Sequence, residues 1–406
     1  MEITGIIAEY NPFHNGHLYQ IHQTQKILHS DAVVAIMSGN FSQRGSATIT
    51  NKFIRTQMAL QNGIDLVLEL PFPIATASAE RFAQGAVSLL EQSGIITSLS
   101  FGSECGTLSE LDAIAKALVY HADAIDTYLQ EALKEGLSYP RAREKALIRY
   151  FQRADMPSRP SLDTLKSPNN ILGVEYIKAL YRCSSSIHPF TIERKGANYH
   201  SPLLSSSLSS ATAIRQALYT NSDAFKHALP SSNIPLLYKQ ALPQMEKLIS
   251  FLHYELIFSE PETLYSLWDI PKDLLNTLIK NAQDYPSYEQ LVNRSTSKTY
   301  TRATVQRSLL RILAHTDTTT VAYDPYITAP YIRVLGCKKE STHLLKALTT
   351  HSKLPVITNP RRQYEMLPPL AKKWMDYEIT ASKLYAYTVG DFQISHADFT
   401  HPFIIL

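Results

Sequence analysis

The chain is organised around Ile7-Ala8-Glu9-Tyr10-Asn11-Pro12-Phe13-His14-Asn15-Gly16-His17-Leu18-Tyr19-Gln20. A short apolar run, residues 3–8, precedes its core, and an amphipathic run led by Leu18 and Ile21 follows. That order predicts strand, turn, helix. Such a turn sets backbone N–H groups and two imidazoles at a helix N-terminus, where phosphate is electrostatically welcome. His14 and His17 are three apart and share one face of the first helical turn. Gly16 has no Cβ, so a ligand or a neighbouring strand can come close. Two imidazoles aimed at one point can donate hydrogen bonds to phosphoryl oxygens as charge builds in a transition state. A bare pair of histidines at this spacing is more often a helix cap. The strand before it and the Asn11-Pro12-Phe13 lead-in favour the phosphate reading. His14 and His17 are therefore the candidate catalytic residues.

Outward from this turn, apolar β-rich runs alternate with helical ones. Strands are expected at residues 3–8, 32–37, 65–70 and 96–101, with helices near 17–28, 51–61 and 79–90. Continuous apolar strands between helices predict a parallel sheet covered on both faces, a Rossmann-like doubly wound α/β domain. Ligands bind such sheets beyond the carboxyl ends of the strands. The residues there are polar or small: Ser38-Gly39-Asn40 after the second strand, Gly102-Ser103-Glu104 after the fourth. Three further helices are expected near 109–120, 124–133 and 140–151, the last made basic by Arg141, Arg143, Lys145 and Arg149. Asn169 and Asn170 open another helix. A strand-like run at 187–192 ends in Glu193-Arg194-Lys195, where guanidinium can fork onto a phosphate. Ser209-Ser210-Ala211-Thr212-Ala213-Ile214-Arg215 begins a helix able to make a second phosphate cradle.

Length and composition bound the rest. A chain of 406 residues predicts two or three domains. No apolar run approaches the roughly 18 residues of a membrane span. The opening Met1-Glu2-Ile3-Thr4 has no basic leader, so export is not expected. Cys105, Cys183 and Cys337 are odd in number and far apart, which suits a reducing cytoplasm and makes no zinc site. A net charge of +3 does not by itself argue for nucleic acid. Neither DNA nor a membrane is an expected partner.

The residues now quoted carry a closer likeness. The histidine signature is that of the nucleotidyltransferase superfamily, shared with class I aminoacyl-tRNA synthetases. Residues 6–17 resemble the opening of the bacterial tRNA(Met) cytidine acetate ligases. So do Met37-Ser38-Gly39-Asn40-Phe41 with Gln43-Arg44-Gly45, Leu68-Glu69-Leu70-Pro71, Ser100-Phe101-Gly102-Ser103-Glu104, Pro168-Asn169-Asn170 and the Ser209 to Arg215 block. The resemblance runs in order to about residue 215 and more weakly beyond. It implies a ligase that uses ATP and acetate to acetylate N4 of the wobble cytidine in elongator tRNA(Met). The ATP loop would be residues 7–20, with further nucleotide contacts from Gly102, Asn169, Arg194 and Lys195. Mg²⁺ is expected to bridge the phosphates, although no carboxylate pair marks a metal site. Ser38, Gly39 and Asn40 are the expected acetate pocket.

Residues 229–235 read as a linker. This divides the chain into a nucleotidyltransferase-like catalytic domain, 1–228, and a mostly helical tRNA-binding domain, 229–406. The run 294–311 has Arg294, Lys298, Arg302, Arg307 and Arg311 and no acid. Arg307 and Arg311 fall opposite an apolar face, so both are expected to contact tRNA, with Arg361-Arg362 and Lys372-Lys373 extending the track. Two rival readings remain: an adenylyltransferase making a small cofactor, and a non-catalytic RNA-binding protein on the same fold. The basic second half weighs against the first, the intact His14, Gly16 and His17 against the second.

Overall fold

The computed structural model describes residues 1–137, 139–153, 161–194, 209–238, 240–322 and 328–406. Strands β1 (Ile3–Ala8), β2 (Ala32–Ser38), β3 (Leu66–Leu70) and β4 (Ser98–Ser103) alternate with helices α1 (Asn15–Leu28), α2 (Lys52–Gln61) and α3 (Ala79–Ser93). Helices α4 (Leu108–Tyr120), α5 (Ala122–Lys134), α6 (Tyr139–Arg153) and α7 (Pro168–Arg182) precede β5 (His188–Glu193) and α8 (Ala211–Tyr219). The strands lie in the order β5-β4-β1-β2-β3, all parallel. The chain therefore builds outward from β1 on one side, then returns to lay β4 on its other side. That reversal lies between β1 and β4, where the carboxyl ends open a crevice.

Pleating explains why the central strand β2 is apolar nearly throughout. In β2, Val34 and Ile36 enter one core with α3 and α7, while Val33, Ala35 and Met37 enter the other with α1, α2 and α8. Asn51 caps α2 by accepting from Phe53 and Ile54 N–H, both at 3.0 Å. The basic helix α6 is an ion-paired face: Arg143 meets Glu175 at 2.9 Å, and Lys145 and Arg149 meet Glu135 and Glu131.

The second half is mostly helical, with α9 (Ile249–Phe258), α10 (Lys272–Asp284), α11 (Tyr288–Ser295) and α12 (Arg302–Ala314). It also contains strands the sequence did not announce. Strand β6 (Ile332–Cys337) pairs antiparallel with β3, β7 (Val356–Ile357) pairs with β6, and β8 (Ile404–Ile405) also pairs with β6. Helices α13 (Thr342–His351), α14 (Pro369–Val389) and the single turn α15 (Ala397–Thr400) surround them. A division at residue 229 thus leaves three strands of the one sheet on its far side.

The seam is ionic. Lys52 Nζ lies 2.6 Å from both Glu69 and Asp398. Arg333 Nη1 meets Glu69 at 3.0 Å and Asp398 at 2.5 Å. All four side chains are buried. Burial pushes the Asp398 carboxyl up, but Lys52 and Arg333 outweigh it and hold the group below the usual carboxylate range. Glu378 of α14 is buried beside this cluster and accepts from Phe72 N–H. Burial first, and the charge of Glu69 second, raise its carboxyl far above the ordinary range.

Candidate active site

The histidine turn sits at the end of β1, beside the crevice. His14 is the N-cap of α1, with extended backbone. Its Nδ1 accepts from Gly16 N–H at 3.0 Å, and its own N–H donates to Nδ1 of His17 at 3.2 Å. This is a capping box in which imidazoles replace the usual hydroxyl and carboxylate. It also fixes the tautomers. Both Nδ1 atoms are acceptors, so each neutral ring carries its proton on Nε2 and presents a donor. The rings stack with centroids 3.8 Å apart. A Cβ on Gly16 would stand 2.8 Å from Cε1 of His14, so a glycine is what lets that ring fold over the helix start.

The electrostatics keep the pair neutral. His14 is 5% exposed. Burial, then the charges of Arg194 and Arg215, lower its imidazole to about 3. Burial, then His14 and Arg194, lower His17 well below the ordinary value. Beneath them Tyr10 and Phe13 are buried, with Tyr10 edge-on to His17 at 4.9 Å and Phe13 tilted against it at 5.5 Å. Within the 7–20 loop these two rings support the imidazoles from the core. Arg215 on α8 donates to the Asn11 carbonyl at 2.7 Å, which ties the second helix start to the turn. Across the crevice, a Cβ on Gly102 would come within 3.2 Å of Arg194 Cγ, so the Arg194 side chain lies over that glycine. The turn, Gly102, Arg194 and Arg215 thus come together at the ends of β1, β4 and β5 and the start of α8.

Asn169 arrives by a route the sequence did not show. Glu104, just past β4, accepts from Asn169 Nδ2 at 2.6 Å and from Asn170 N–H at 2.9 Å. Glu104 N–H in turn donates to Asn170 Oδ1 at 2.8 Å. The start of α7 is clamped to the end of β4. Lys195 lies outside the described residues.

Two expectations need correcting. Ser38, Gly39 and Asn40 do come to the end of β2, but they are buried. The Asn40 carboxamide accepts from Lys52 N–H at 2.8 Å and donates to Ser382 Oγ at 3.1 Å, so it is committed inside the protein and not to acetate. Ser38 Oγ is buried without a hydrogen-bond partner among the described residues. Arg307 and Arg311 also point inward. Arg311 is 1% exposed; it donates to Thr76 and Asp269 carbonyls at 2.7 and 3.0 Å and lies 4.7 Å from the Trp268 ring centroid. Arg307 is buried and donates to the Gln43 carbonyl at 3.2 Å. Both fasten α12 to the sheet domain and present no charge to RNA. Unpaired carbonyls at loop ends accept from guanidinium as phosphate oxygens do, and spacing alone does not separate the two.

Arg55 is a residue the sequence reading missed. Fully buried in α2, it donates to the carbonyls of Glu9 (2.7 Å), Ser38 (2.9 Å) and Thr50 (3.1 Å), and to that of Gly39. It holds the ends of β1 and β2 in register beside the crevice. Burial lowers its guanidinium to about 10. Among the described residues no group of three or more His, Cys, Asp or Glu converges as for a metal. The nearby carboxylates are already engaged, Glu9 by Gln43 N–H at 2.7 Å and Glu104 by α7. The described residues therefore offer no carboxylate cage for Mg²⁺.

The comparisons agree with one another. The model of the family described as HIGH Nucleotidyl Transferase matches residues 1–398. The tRNA(Met) cytidine acetate ligase of Halothermothrix orenii is 37% identical over 404 residues, covering 96% of each chain. That of Acetivibrio thermocellus is 37% identical and covers 100% of both. Thermotoga maritima TmcAL superposes with a TM-score of 0.92 at 30% identity over 100% of both chains. A second crystal form of it, bound with alpha-thio ATP, superposes with a TM-score of 0.91.

Proposed function

Since this chain belongs to the HIGH Nucleotidyl Transferase family, we propose that it is an ATP-dependent ligase acting on tRNA(Met), activating acetate as acetyl-adenylate and acetylating N4 of the wobble cytidine. The observation that carries this is the stacked pair of neutral imidazoles at a helix N-terminus, both Nε2–H groups without a partner among the described residues, with Arg194 and Arg215 beside them. The relatives at full coverage support the substrate, and the ATP analogue held by the Thermotoga maritima protein supports the nucleotide.

Acetate is a poor acyl donor because its oxygen leaves badly. A carboxylate oxygen attacks the α-phosphorus of ATP; the bond to the bridging oxygen of the β-phosphate breaks, and pyrophosphate departs. His14 and His17 donate Nε2–H bonds to phosphoryl oxygens as charge grows on them, and the N–H groups of the first turn of α1 add their dipole. Arg194, with Lys195 after it, and Arg215 hold the departing pyrophosphate. The cytosine amine then attacks the acyl carbon, AMP leaves, and the amine loses a proton. Its lone pair is delocalised into the ring, so positioning supplies much of the acceleration, up to about 7–11 kcal/mol for well-oriented reactants. The base leaves the anticodon stack to reach the crevice, at a cost of a few kcal/mol. No helix among the described residues is long and apolar enough to cross a membrane, and the work is that of a cytoplasmic enzyme.

The test is incubation with labelled acetate, ATP and total bacterial tRNA, followed by nucleoside analysis. Label in N4-acetylcytidine and acetate-dependent ATP–pyrophosphate exchange are expected. Exchange that ignores acetate, with no label in RNA, would overturn the reading in favour of a small-molecule adenylyltransferase.

A further inference from the structure

The sheet edge beyond β7 carries a groove that the reaction above does not use. One lobe is a cavity of about 470 Å³ whose walls include Asn359, Arg361, Arg362, His401 and Phe403. A second lobe of about 500 Å³ shares Asn359, Arg362 and Phe403 and adds Leu345 and Ile405. Arg362 and Phe403 therefore stand between a polar lobe and an apolar one. Each volume lies in the range of roughly 300–1,000 Å³ that holds a small-molecule ligand. In the strand order, β7 is four places from β1. At a spacing of about 4.8 Å per strand, β7 lies roughly 19 Å from β1 across the sheet.

The charge of the groove is uncompensated. Asp398 lines the polar lobe, but its carboxylate is already met by Lys52 at 2.6 Å and Arg333 at 2.5 Å. Arg361 and Arg362 are exposed, and among the described residues neither guanidinium has a carboxylate within ion-pairing distance. Contrast Lys372, which meets Glu365 at 2.7 Å. The His401 wall is fixed in place, its ring stacked flat on Phe53 with centroids 4.1 Å apart. Two free guanidinium forks beside an aromatic wall match the two halves of a nucleotide, the phosphate and the base.

We propose that this groove binds a nucleotide of the tRNA chain, its phosphate on Arg361 and Arg362 and its base against Phe403. The proposal rests on the reading that tRNA is the substrate. It gives that substrate a second hold, remote from the reacting cytidine, in the half of the chain where Arg307 and Arg311 are withdrawn inside the protein. The same chemistry would suit a free nucleotide such as ATP, so the experiment separates the two.

Full-length protein carrying Arg361→Ala with Arg362→Ala is titrated with tRNA(Met) by fluorescence anisotropy at several salt concentrations. ATP binding and acetate-dependent exchange are measured alongside. The expected result is tRNA binding weaker by about tenfold and a salt slope shallower by about 1 to 2, with ATP affinity and exchange unchanged. Arg361→Lys with Arg362→Lys, which keeps the charge, should recover much of the affinity. Wild-type tRNA affinity and slope in the alanine variant would overturn the proposal. So would a loss of ATP affinity with tRNA binding intact, which assigns the groove to free nucleotide. If the wild type binds tRNA but makes no acetylcytidine, the proposed reaction fails while the groove is still judged by binding. If it binds no tRNA, both fall.

Discussion

Each imidazole of the pair gives its Nδ1 lone pair to a backbone N–H, and that local bond decides what the ring can do. It leaves Nε2–H as a donor and removes the ring as a general base at that atom. Replacing His17 by Ala deletes one donor at the phosphates. Acetate-dependent ATP–pyrophosphate exchange should fall by about 10²–10³-fold, while tRNA binding holds; normal exchange would remove His17 from the chemistry. Neutrality has a second outcome. The folded His14 takes up a proton only near 3, against about 6.5 when unfolded. Between those values the unfolded chain binds the extra proton, so His14 makes the fold less stable as pH falls from about 6.5 toward 3. His14→Gln should show a shallower decline of urea midpoint over that window; an unaltered decline contradicts a neutral, buried His14. The pair itself was legible in the sequence because its whole geometry is local, a strand, a turn and the first turn of a helix. Its protonation state was not, because the burial that keeps the rings neutral is tertiary, and Arg194 and Arg215, which add to it at His14, arrive from nearly two hundred residues away.

Among the elements, β1 to β3 were legible because strands buried on both faces read as nearly unbroken apolar runs. Strand β6 was missed because Arg333 interrupts it, and that arginine is buried only because Glu69 and Asp398 meet it there. Strands β7 and β8 are two residues each and carry no pattern to find. Helix α12 failed in the opposite sense: its arginine spacing was read correctly and its destination was not. Arg307 and Arg311 stitch α12 to the loops after β2 and β3, at the carbonyls of Gln43 and Thr76. Arg311→Ala therefore removes buried packing on Trp268 and strands two carbonyls. A stability loss of about 2–4 kcal/mol is expected in chemical denaturation, with the salt slope of tRNA binding unchanged. A variant of wild-type stability with a flattened slope would return Arg311 to the RNA surface.

For the molecule as a whole, the seam between β3 and β6 matters more than any boundary between halves. Glu378, held protonated by its surroundings, gives that seam a pH signature. An unfolded glutamate ionises near 4.3, whereas the folded Glu378 keeps its proton well above that. Over this window the folded state binds the extra proton, so Glu378 makes the protein less stable as pH rises. Glu378→Gln preserves the acceptor for Phe72 N–H and has no proton to lose. Its melting temperature, followed from pH 5 to 9, should gain on the wild type as pH increases; parallel curves would mean that Glu378 is ionised in the fold. The same seam governs how the protein can be made. Lys52 and Glu69 leave the ribosome long before Arg333 and Asp398 are translated. Through most of synthesis, β3 is an open edge, and a lysine and a glutamate destined for a dry interior have only each other. A newborn chain is therefore a natural client for chaperones. Messages cut short before β6 should yield a protein that clumps, not a smaller working enzyme.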